Sequence, residues 1–179
     1  MADIAASVLA RLKNKAKESG RSYQLCLQLF CQEEFLRRLE KSQYTENLVL
    51  KGGLFIYSVT DFDSRVTVNV DFLLRKVPNT PEQLQTMIET IISAPTGNDF
   101  VTFEIKDIVP IAVAKKYVGI GVSLVARIKD VNGKKYGLIF EEHHEEIEDV
   151  LGTHTPVLTE DKDLFINNGG QINFLIEGG

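Results

Sequence analysis

The amino-acid sequence predicts an α+β fold, a mixed sheet with N-terminal helices packed against it, and three observations lead there. Two helical stretches open the chain. A short apolar strand then ends on two glycines and runs into a helix. From Asp99 onward the pattern changes to runs of β-branched residues with tight-turn signals between them. Helices, then a mixed segment, then strands is the order expected when helices gather on one face of a sheet.

Each element has a local cause. Residues 3–18 carry Ile4, Val8, Leu9 and Leu12 at helical spacing, and Gly20 stops the run. Ser22 is placed to cap a second helix, in which Leu25, Leu29, Phe30, Leu36 and Leu39 recur at threes and fours to about Lys41. NLVLKGG, residues 47–53, reads as a strand, with a helix over 54–60 after it, and TVNVDFLL, residues 67–74, has the density of a buried strand. Thr80 and Pro81 open a third long helix to about Ser93, as N-cap and first helical residue. DFVTFEI and YVGIGVSLVARI are strands, and Asn132-Gly133 is a hairpin turn returning through KYGLIF. The acidic stretch EEHHEEIED follows at 141–149, and the last residues read as a second hairpin around Asn168-Gly169. The expected organisation is a single domain over 1–179, with helices in 1–45, a core in 46–150 and a terminal hairpin in 151–179.

Composition sets the class. The 179 residues, 44% hydrophobic and 25% charged, are ordinary for a globular chain that buries a core. No apolar run approaches the roughly 18 residues of a membrane span, and the N-terminus has no signal-peptide core, so no membrane partner and a cytoplasmic location are expected. The net charge of −5 does not attract nucleic acid as a whole. A local basic run, Arg11, Lys13, Lys15, Lys17 and Arg21, is more simply a solvated helix face. Cys26 and Cys31 lie five apart in one helix and point different ways, so they are expected as two small buried hydrophobes rather than a disulfide.

The chemistry concentrates in residues 48–74. A strand ending in Gly52-Gly53 lets a ligand approach the backbone closely, and the helix that follows offers unpaired N–H groups to a phosphate. Lys51 stands beside that turn and can pair with phosphate oxygens. In the next strand Asn69 and Asp71 project to one side. Two carboxylates there would cradle Mg²⁺; the amide at Asn69 offers an oxygen without charge. Arg65 suits either a triphosphate or a surface pair with Asp61 or Asp63, and Thr67 reads first as a strand former.

This segment resembles the AbiEii-type nucleotidyltransferases, toxins of bacterial abortive-infection and toxin–antitoxin systems. The family's Lys-Gly-Gly unit appears as Lys51-Gly52-Gly53. Its Arg-x-Thr/Ser-x-Asp-x-Asp-Phe motif appears as Arg65-x-Thr67-x-Asn69-x-Asp71-Phe72. Tyr117-x-Gly119 and the QEEFLRRLEKS stretch are also similar, and the resemblance runs over about residues 5–130. It implies a nucleotidyltransferase-like fold, an NTP substrate, Mg²⁺, an acceptor that is often RNA, and a cognate antitoxin protein as partner. It also implies nucleotide contacts from Lys51, Gly52, Gly53, Arg65 and Thr67, with Asp71, Asn69 and Lys51 as the catalytic set.

Two departures accompany it. Asn69 replaces the family's first aspartate. The family's third carboxylate, on the strand after the later hairpin, has Glu141 as its nearest counterpart, which makes Glu141 the remaining metal-ligand candidate beside Asp71 and Asn69. The family's C-terminal helical region has no counterpart. A diverged or truncated member is expected, with slowed transfer, or else a nucleotide- or partner-binding module of the same fold. An interaction protein that adds a strand to a partner sheet is the third expectation. His143 and His144 diverge as neighbours and read as part of an exposed acidic segment rather than a zinc site.

Overall fold

The computed structural model describes residues 4–59, 70–113, 117–129, 135–137 and 170–178. The elements are α1 (Ile4–Ser19), α2 (Tyr23–Lys41), β1 (Leu48–Lys51), α3 (Gly52–Val59), β2 (Val70–Leu74), α4 (Pro81–Ile92), β3 (Val101–Val113), β4 (Tyr117–Lys129), β5 (Lys135–Gly137) and β6 (Gly170–Gly178). The fold is α+β, as expected. Gly20 takes φ +69° just beyond α1, a left-handed position where glycine carries no Cβ penalty. The Ser22 side chain accepts a hydrogen bond from the Leu25 amide at 3.2 Å, capping α2. Thr80 caps α4 in the same way, through the Gln83 amide, with Pro81 at the helix start.

The sheet order is β1-β2-β6-β4-β3, with β5 paired to β4 off that path. All pairings are antiparallel except β2 with β6, which run parallel, so the sheet is mixed. β6 therefore lies inside the sheet, between β2 and β4. The first arm of the hairpin expected around Asn168-Gly169 lies outside the described residues, as does the Asn132-Gly133 turn. β3 runs on to Val113, well past the expected end at Ile105, and includes Pro110. A proline is tolerated because β3 is an edge strand, where a missing N–H breaks no ladder.

One face of the sheet is the core. Leu48, Val70, Phe72, Leu74, Ile120, Leu124 and Ile176 on the strands meet Leu27, Cys31 and Phe35 of α2 and Leu84, Met87 and Ile91 of α4, all buried. Phe35 joins the layers, tilted against Phe72 and edge-on to Phe103. Cys26 and Cys31 are buried and unbridged, as expected. A polar network seals one side: Glu34 and Arg38 pair at 3.3 Å, Arg38 donates to the Val101 carbonyl at 2.8 Å, and Asn98 donates to Glu34 at 2.8 Å. The basic residues from Arg11 to Lys17 are exposed along α1. On the opposite face of the sheet, Lys51, Asp71, Leu73, Ser123, Val125 and Arg127 are only half-buried. That half-buried face carries the candidate chemistry.

Candidate functional site

Lys51 and Asp71 are direct partners across the β1–β2 ladder, so the two opposite charges share one face. β1 ends at Lys51 and α3 begins on the next residue, two positions earlier than expected, so the glycines themselves form the first turn of the helix. Gly52 has φ +71°, a backbone conformation open to glycine at little cost. A Cβ added there would meet the Asp71 carboxylate: it would stand 3.2 Å from Cγ and 3.3 Å from Cβ, and would overlap Oδ2 outright. The absence of a side chain at Gly52 is thus what lets the Asp71 carboxylate rest against the backbone at the start of α3. A negative charge is favoured beside a helix N-terminus, whose amides are not yet used within the helix.

The sequence-predicted residues divide plainly. Lys51, Gly52, Gly53 and Asp71 are brought together by two adjacent strands and one helix start. Arg65, Thr67, Asn69 and Glu141 lie outside the described residues. Among the described residues, no three of the His, Cys, Asp and Glu side chains gather as a metal cage. One carboxylate fits a cation held jointly by protein and triphosphate, the common manner for Mg²⁺, and does not fit an all-protein cage. A separate groove of about 620 Å³ lies between α4 and β3, lined by Glu82, Glu89, Phe103, Glu104 and Asp107 among others. It sits at the β3 edge, with three strands between it and β1, and is not part of this site.

A family model described as nucleotidyl transferase AbiEii toxin, Type IV TA system, matches residues 34–138. The chain belongs to this family. The AbiEii match begins within α2 and takes in β1, the Gly52-Gly53 turn, α3, β2 and the β3–β4 hairpin. Both halves of the Lys51–Asp71 contact fall inside it, and β6 falls beyond it. No curated protein and no solved structure matches the chain. No helix among the described residues is long and apolar enough to cross a membrane.

What sequence reasoning misses in this AbiEii chain is the strand on the other side of Asp71. The alternation in QINFLIEG marks a strand clearly enough. That it inserts between β2 and β4 depends on pairings with residues far away in the sequence, which no local pattern records.

Proposed function

We propose that this AbiEii-family chain is a nucleotidyltransferase that binds an NTP with Mg²⁺ over the Lys51-Gly52-Gly53 turn and transfers its nucleotide to an acceptor. RNA is the acceptor class that the family resemblance implies, and a cognate antitoxin is the controlling partner, in line with the toxin–antitoxin description of the family. The observation that carries the reading is the contact between Asp71 and Gly52, which sets a carboxylate against the helix start at a position closed to any other side chain.

In this reading the N–H groups of the glycine turn and the Lys51 ammonium hold phosphate oxygens. Asp71 anchors the cation, with the Asn69 amide oxygen and the Glu141 carboxylate as its further protein ligands. Arg65 balances charge on the transferred phosphoryl group, and Thr67 helps seat the nucleotide. A Mg²⁺ ion held there would supply charge neutralisation for the phosphate oxygens. The acceptor hydroxyl oxygen forms the new bond to the α-phosphorus as the bond to pyrophosphate breaks, and the hydroxyl proton passes to water. A second reading is a nucleotide-binding module of the same fold without transfer; in its favour, no three His, Cys, Asp or Glu side chains among the described residues gather as a metal cage.

Isothermal titration of the four NTPs, with and without Mg²⁺, into wild type and Asp71→Ala tests the binding. Affinity that needs both Mg²⁺ and Asp71, falling about tenfold or more in the variant, is the expected result. Absence of NTP binding under every condition overturns both readings. Passage of label from an α-labelled NTP to RNA separates the enzyme from the binding module.

A further inference from the structure

The groove between α4 and β3 lies at one end of the strand order. There β3 pairs with β4 on one side and, among the described residues, with no strand on the other. An edge of this kind offers a row of backbone N–H and C=O groups to another strand. A groove bounded by an edge strand and a helix also suits strand addition: the main chain of an extended segment takes the ladder, and its alternate side chains enter the groove.

β3 presents different chemistry on its two faces. Phe103, Ile105 and Ile108 pair with Ala126, Leu124 and Val122, which are buried on the core face, yet all three remain only partly buried themselves. With Ile92 of α4 they give the groove an apolar floor. Glu104 and Asp107 pair with Val125 and Ser123 on the opposite face and are exposed. The register shift between Ile105 and Asp107 keeps each series on its own face across the bulge. Glu82 and Glu89, exposed about two turns apart on α4, stand along the other wall.

The lining thus carries Glu82, Glu89, Glu104 and Asp107 against one ammonium, that of Lys106. A second copy of this chain would bring the same carboxylates together across a β3–β3 pair, and like charges opposite each other are unfavourable. Charge complementarity calls for a basic occupant. We propose that the outer edge of β3 and the α4 groove dock an extended basic segment of another protein, in which apolar and basic residues alternate. Its apolar side chains lie over Phe103, Ile105 and Ile108. Its basic ones stand beside Glu104 and Asp107, with Glu82 and Glu89 at the rim. This surface is separate from the Lys51–Asp71 site and does not depend on the nucleotide reading.

The test follows the fluorescence anisotropy of a labelled peptide of about eight residues, alternating lysine and valine, titrated with the full chain at low salt. The lysine–valine peptide should bind, and a glutamate–valine peptide should not. Methylating every second backbone nitrogen, in one frame or the other, gives two further peptides. Only one frame should abolish binding, because alternate residues of a strand face its partner. Glu89→Lys and Asp107→Lys change exposed residues, and a cation is tolerated near the C-terminal end of α4. Each should weaken the lysine–valine peptide about tenfold. Absence of binding, equal binding of both methylated peptides, capture of the glutamate–valine peptide, or wild-type affinity in both variants overturns the proposal. So does a chain that sediments as a dimer until Asp107→Lys separates it, since the edge then belongs to a second copy.

Discussion

At the scale of single residues, Gly52 is the most constrained of the described glycines with positive φ. It combines a left-handed backbone with a carboxylate where its side chain would be. Gly97 has φ +78° but nothing within 4 Å of an added Cβ, so it isolates the backbone part of the cost. Gly97→Ala should lose about 1 kcal/mol and Gly52→Ala about 2–3 kcal/mol in urea unfolding, since only the latter must also displace Asp71. NTP affinity should fall in Gly52→Ala and stay unchanged in Gly97→Ala. Cys31 gives a pH prediction. Burial, with the neighbouring Glu34 charge adding to it, raises its thiol far above the ordinary 9.0. The folded state therefore prefers the protonated thiol. That contribution is fully present below the unfolded value and is lost as pH rises toward the folded one. The urea midpoint should decline as pH climbs past 9.0, and Cys31→Ala should flatten the decline. The members of the site are legible in the sequence at this scale because Lys51, Gly52, Gly53 and Asp71 are locally patterned. Their contact is not, because it follows from the β1–β2 register.

At the scale of elements, the helix caps are legible in the sequence alone. Ser22 and Thr80 each accept the amide hydrogen bond their positions imply, because capping is decided within a few residues. β3 is harder: the strand expected to end at Ile105 runs on through Pro110, which its place at the edge of the described sheet tolerates. The polar side of α2 gives no local sign of its burial. Charged residues at helical spacing usually face water, whereas Glu34 and Arg38 have side chains only 1% and 6% exposed. Arg38 also lies over the Phe103 ring, 4.9 Å from its centre. Burial lowers the Arg38 guanidinium from its ordinary value, and the Glu34 charge opposes that. Removing one partner of a buried pair strands the other, so Arg38→Ala should cost about 3–5 kcal/mol by denaturant unfolding. Arg37→Ala, which breaks the exposed pair with Glu33, should cost under about 1 kcal/mol.

At the scale of the whole molecule, the fold class follows from the order of helices and strands, while the strand order does not. Among the described residues β6 holds β2 and β4 together and has an apolar residue, Ile176, buried in the core. A chain ending at residue 169 would leave two half-sheets, β1-β2 and β3-β4, with no shared ladder among the described residues. It should lose its cooperative unfolding transition and bind the dye ANS, as followed by circular dichroism and fluorescence, whereas the full chain should show one sharp transition.

The same strand has a consequence in time. Val70 waits for Phe174. A ribosome delivers β2 long before β6, and such distant pairings form slowly because the intervening loop must close first. Until then β2 has an open edge beside Asp71, a natural place for chaperones or stray strands to bind. A nascent chain thus carries the Lys51-Gly52-Gly53 turn early but cannot complete the sheet around it until residues 170–178 have emerged, which delays assembly of the site until synthesis has passed them.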